Sequence, residues 1–284
     1  DLSTSWPGTG AVNVTSGILN LAGFNLTVAG TLNVAAAGRI ICAGGTILAG
    51  SSNIEGELSC GSSLGITWTG LAGDGMWDTP GNWTNNTVPG NSDIAFFNGI
   101  CSGPACDVSV QATRTVRGVM IHALYAGTIT QPAATNLTIG TGGWTQSGGT
   151  YLGSDGSITS TGSFSLSGGT FRATSGLWTQ NANISFTGGT FLHKSGTVRI
   201  AVTASFLATN VLLHNFSIEG NNQTLTISGS VDVAGTLTLG DTATNSGLVN
   251  GGTINVTGNI VLQSFSKLGT TLIRLVGATD QSLT

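Results

Sequence analysis

The 284-residue sequence predicts an all-β fold, a parallel β-solenoid with about 20 residues per coil, and three observations lead to it. The first is an internal repeat. SGGTY at 147–151, SGGTF at 167–171 and TGGTF at 187–191 recur at a spacing of 20 residues. Trp144, Phe164 and Ile184 keep the same step, as do Gln146, Leu166 and Phe186. The second is an alternation that lasts one short strand and then skips. Leu225 with Ile227, Val231 with Val233, and Leu237 with Leu239 are pairs whose members share one face of a strand, each pair beginning six residues after the last. The third is composition. Gly contributes 45 residues and only 7% of the chain is charged, with no long segment of 3.6-residue period. Disorder would combine few apolar residues with high net charge, whereas 39% of these residues are hydrophobic and the net charge is −4.

The Ala-Gly, Ser-Gly or Gly-Gly between apolar pairs lets the backbone turn a corner at little steric cost. Three short strands and three corners then make one coil. Stacking coils at the inter-strand spacing of about 4.8 Å places positions 151, 171 and 191 in one aromatic ladder, and Trp144 and Phe164 in another. A β-sandwich would space its strands at about 8–12 residues without strict repetition, and propeller blades would repeat at about 40–45. A period of 20 fits neither.

Along the chain, residues 1–66 read as N-terminal solenoid coils, with Leu26 and Val28 followed by Leu32 and Val34 in the six-residue rhythm. The pattern lapses over 67–111, a Trp-, Pro- and Cys-rich insertion or module junction. It holds Trp68, Trp77 and Trp83, and its aromatics are expected to pack on the side or end of the solenoid. Residues 112–284 resume the coils. The four cysteines form two local pairs without zinc-finger spacing. Cys42 and Cys60, about one coil apart, are expected to staple adjacent coils, and Cys101 and Cys106 to pin the CSGPAC turn. Disulfides imply an oxidising, extracellular setting. The chain opens with Asp1 and shows no signal peptide, which fits a mature secreted chain or a fragment of a longer one.

The segment from Trp68 onward, W-T-G…G-x-W-x-x-x-x-N-W…P-G-x-x-D, is carried by Trp68, Gly70, Trp77, Asn82, Trp83, Pro89, Gly90 and Asp93. Followed by short L-T-I and G-T-L strands, it resembles modules of bacterial extracellular adhesin-like and autotransporter-like β-helix repeat proteins. FSIEGNNQTLTISGSVDVAGTLTL and the terminal VGATDQSLT resemble the repeated units of the same family. The resemblance implies a right-handed parallel β-helix outside the cell, used for adhesion or architecture, and it carries over no catalytic residue.

The residues themselves offer little chemistry. Asp74, Asp78 and Asp93 are the candidates for calcium, with Asn91 beside them, and their ordinary alternative is as turn residues. Trp77 and Trp83 are candidates for glycan stacking, against the commoner fate of packing. Asn13, Asn25, Asn82, Asn85, Asn136, Asn183, Asn215, Asn222 and Asn255 begin Asn-x-Ser/Thr triplets and are candidate glycosylation sites, although Thr-rich alternating strands generate such triplets by themselves. The acids Glu55, Glu57, Asp155, Glu219, Asp232, Asp241 and Asp280 keep no 20-residue register, and His122, His193 and His214 stand apart from any acid–nucleophile motif. No enzyme activity and no cofactor other than calcium is therefore expected. Eight scattered basic residues give no footprint for nucleic acid, and no apolar run approaches the roughly 20 residues of a membrane span. The expected role is a structural subunit of an extracellular filament, sheath or surface layer, self-assembling head to tail. An adhesin or glycan-binding stalk comes second, and a polysaccharide-cleaving β-helix enzyme third.

Overall fold

The computed structural model describes residues 6–8, 10–22, 24, 26–42, 47–59, 65–220, 222–240, 247–264 and 269–284. It is an all-β chain of parallel strands, stacked as a β-solenoid of about 11 turns whose equivalent positions lie about 21 residues apart.

The first stack is built around one long strand, Leu26–Ile41. It pairs in parallel with Trp6–Gly8 and Val12–Asn20 on one side, and with Ile47–Ile54 and Glu57–Ser59 on the other. Alternation turns Leu26, Val28, Leu32, Val34 and Ile40 inward to a core that also holds Leu21 and Cys42. The outward Asn at each coil stacks on the next. Asn33 donates to Asn13 Oδ1 at 2.6 Å, and Asn53 to Asn33 Oδ1 at 2.9 Å. Such an amide ladder satisfies each side chain with its own copy one coil away. Cys60, the expected partner of Cys42, lies outside the described residues.

The second stack has three faces. On the first, Ile66–Thr67 and Ile94–Phe97 lead to Phe164–Leu166, Ile184–Phe186 and the opening halves of Ala204–Leu213 and Thr224–Val233. The second face runs Val108–Ser109, Thr128–Thr130, Thr150–Leu152, Thr170–Arg172 and Thr190–Leu192. Later coils supply the closing halves of Ala204–Leu213 and Thr224–Val233, then Thr253–Val256 and Leu272–Leu275. The third face includes Ile158–Ser160, Leu177–Gln180, Thr197–Ile200, Asn215–Ile218, Leu237–Leu239 and Ile260–Leu262. Each coil thus visits the faces in turn, as 164–166, 170–172 and 177–180 do.

The expected ladders form. Tyr151 pairs with Phe171 and Phe171 with Phe191; their rings stack at 4.8 and 6.1 Å with interplanar angles of 22° and 10°. Trp144, Phe164 and Ile184 make a second column on the neighbouring face, where Phe164 meets Phe171 edge to face at 4.9 Å. The second glycine of each (S/T)GGT(Y/F) sits at positive φ, +56° at Gly149, +70° at Gly169 and +69° at Gly189, and this turns the corner before the aromatic strand. A second corner device recurs. The Oδ1 atoms of Asn136, Asn183, Asn215 and Asn259, each just before an inward apolar residue, accept the backbone N–H of Ser157, Ser205, Thr236 and Ser282, each at 2.8 Å. The Ser157 and Thr236 N–H groups lie just before their strands and that of Ser205 at the second residue of Ala204–Leu213, so the amide oxygen supplies the acceptor where the chain enters a face.

Within 67–111, Ile94–Phe97 and Val108–Ser109 are ladder strands, and residues 68–93 lie between the named strands, tied in by isolated bridges of Trp68 with Trp83 and Met76 with Ser109. That part winds through short 3-10 turns at Pro80–Asn82 and Thr84–Asn86. Among the described residues no helix is long and apolar enough to cross a membrane.

Candidate functional site

The Trp-rich segment is the first place to look for chemistry, and its residues are occupied with holding it together. Trp68, Trp77 and Trp83 are 0%, 1% and 2% exposed and converge on the buried Phe97, the three indoles lying 5.6–6.4 Å from its ring. Trp83 Nε1 donates to the Trp77 carbonyl at 2.6 Å, and Trp68 Nε1 to the Ala105 carbonyl at 2.9 Å. Phe97 touches Tyr125, so the cluster belongs to the solenoid's own core. Trp77 and Trp83 therefore present no ring face to a glycan; packing is what they do. The Cys101–Cys106 disulfide forms beside this cluster with Cα atoms 5.1 Å apart, as the sequence predicts.

The three candidate calcium ligands serve different partners. Asp74 accepts from the Thr79 hydroxyl and from Asn82 Nδ2, both at 2.6 Å, and from the Met76 N–H at 2.9 Å. The Thr79 hydroxyl and then the Met76 N–H hold its carboxyl below the usual carboxylate range. Asp78 forms an ion pair with Arg114. Asp93 accepts the Gly90 N–H at 3.0 Å. These are turn and staple interactions, and among the described residues no three acidic, histidine or cysteine side chains come together as a metal set.

Of the sequon asparagines, Asn82 is fully buried, donating to Asp74 and to the Met76 carbonyl and accepting from the Ala72 N–H, so the folded chain has no room for a glycan there. Asn13, Asn85, Asn136, Asn183 and Asn222 are exposed, Asn215 and Asn255 are half-buried, and Asn25 lies outside the described residues. Asn13, Asn136, Asn183 and Asn215 use their amide oxygens between coils.

The remaining acids are dispersed. Asp155 accepts the Ala134 N–H at 2.6 Å, and Glu219 pairs with Arg199 at 2.6 Å while taking the Ser217 hydroxyl. Two groupings were hidden in the linear sequence. His193 and His214, read separately as isolated residues, stack at a corner of adjacent coils with ring centroids 5.4 Å apart. Partial burial, then the neighbouring His214, lowers the pKa of His193. On the second face, Leu212, Asp232, Asn255 and Arg274 form an outward column in direct register. With Thr257 and Val276 they line an open groove of about 420 Å³. Neither grouping keeps the 20-residue step of the motif: the histidines are 21 residues apart and the column advances by 20, 23 and 19, so only the strand register brings them together.

No protein-family model, no curated protein and no solved structure matches this chain.

Proposed function

We propose that the protein is a structural element of an extracellular filament, sheath or surface layer, lengthened by stacking further coils on its last turn. One observation carries this reading. Leu275 and Leu283 are registered with Val256 and Ile260, inward positions that are 0% and 6% exposed, yet they are themselves 57% and 65% exposed. Ile273, registered with the fully buried Ile254, is only partly buried. The end of the hydrophobic core is thus an apolar surface bordered by open strand edges, and burying it takes another coil, from a second copy or from further chain. A head-to-tail contact that does not close on itself generates a filament. The low charge, 7% of residues, leaves little repulsion between copies. The Cys101–Cys106 bridge supports an oxidising compartment.

Electron microscopy and fibre diffraction of native, unheated material test the proposal. Filaments or sheets with an axial repeat of about 4.8 Å, continuous across subunit boundaries, are the expected result. Isolated rods one molecule long at high concentration would overturn it.

A further inference from the structure

We propose that the groove on the second face near the last turn binds an acidic saccharide, with Arg274 holding a sugar carboxylate and Asp232, Asn255 and Thr257 holding hydroxyls. This goes beyond the structural role and does not depend on polymerisation.

The groove follows from the strand register. Positions 212, 232, 255 and 274 point outward because their neighbours Val231, Val233, Ile254 and Val256 fill the core at 0% exposure. On successive coils they sit one strand apart, so polar groups recur along the solenoid axis at about 4.8 Å. Leu212 and Val276, 44% and 49% exposed, form apolar walls. The volume, about 420 Å³, lies in the range of small-ligand sites.

The polar floor combines complementary chemistries. Asn255 Nδ2 donates to Asp232 Oδ1 at 2.7 Å. This contact fixes both planar groups and leaves the carboxylate's other oxygen and the amide's oxygen as acceptors for hydroxyl donors. Arg274 supplies only donors, in a fork matched to a carboxylate. It sits two strands from Asp232, roughly 10 Å by the strand spacing, with the neutral Asn255 between them. Among the described residues Arg274 makes no ion pair or hydrogen bond. An exposed guanidinium beside a row of fixed acceptors fits a ligand that brings both a carboxylate and hydroxyl groups. A uronic-acid oligosaccharide laid along the axis has that character. Inorganic anions would use Arg274 alone and leave the acceptors of Asp232 and Asn255 without a donor.

Titration calorimetry with tetragalacturonate, a neutral tetrasaccharide of glucose and inorganic sulfate tests the assignment. Tetragalacturonate is expected to bind saturably, the neutral tetramer at least about tenfold more weakly, and sulfate to compete poorly. Arg274→Gln, at an exposed position, should weaken tetragalacturonate binding by about tenfold or more while leaving the melting curve in place, and Asp232→Ala should weaken both saccharides. Absence of saturable tetragalacturonate binding, or equal binding by wild type and Arg274→Gln, would overturn the proposal. Equal affinity for the neutral tetramer, or displacement by sulfate at the same concentration, would overturn it too, the latter reducing the site to a simple anion contact.

Discussion

At the scale of single residues, the glycines of the (S/T)GGT(Y/F) motif were the most legible feature of the sequence, because a left-handed corner at a constant step restricts what can stand there. Gly169 combines φ +70° with close stacking: a Cβ would collide with the carbonyl oxygens of Gly148 and Gly149 in the coil beneath. Those atoms are hydrogen-bonded backbone and cannot swing aside. Gly169→Ala should therefore lower stability by about 2–3 kcal/mol, more than the strain of the conformation alone, read as a shift in urea midpoint. The stacked histidines were not legible, since nothing in the linear sequence says that residue 193 stands against residue 214. Their contact makes a pH prediction. The folded chain favours neutral His193, so its folded pKa is below the ordinary 6.5. The unfolded state then takes up the proton first as pH falls, and stability is lost from about pH 6.5 down to the folded pKa and is constant below it. An NMR titration should find His193 below 6.5 and moved upward in His214→Gln, with less of this acid sensitivity in the variant's denaturation curves.

At the scale of the strand and coil, what the sequence revealed depended on how cleanly alternation survived. The repeats from 144 to 191 gave both aromatic columns, because each strand shows three residues with inward positions at a constant step. Ile94–Phe97 was hidden inside the apparent insertion: IAFF is a continuous apolar run whose Phe96 and Phe97 are both buried, so period 2 fails there although the strand belongs to the ladder. The column of rings is the natural place to test coil packing. Phe171 is 1% exposed and touches Trp144, Tyr151, Phe164, Trp178 and Phe191. Phe171→Ala should cost about 3–5 kcal/mol, since rings held between coils cannot collapse into the gap. The half-buried Phe191, at the end of the same column, should cost clearly less on the same change. Equal losses at both positions in parallel denaturation curves would show that the column does not act through burial.

For the molecule as a whole, the sequence conveyed the class of architecture but not its groove, which exists only once 212, 232, 255 and 274 are brought into line. The parallel register has a mechanical consequence. Every ladder hydrogen bond points along the solenoid axis, so pulling on the chain's two ends loads the bonds of the outermost coil first and leaves the interior coils shielded. The middle coils are held by short strands, three residues long at Phe164–Leu166 and Thr170–Arg172, and should peel off as units. With equivalent positions about 21 residues apart, each release should lengthen the chain by about 70 Å. An optical-trap recording should show a staircase of such steps at modest force, whereas one abrupt rupture of the whole stack would contradict it. A rod of this kind is stiff against bending yet gives way gradually under tension, surrendering length one turn at a time while the rest of its structure stays wound.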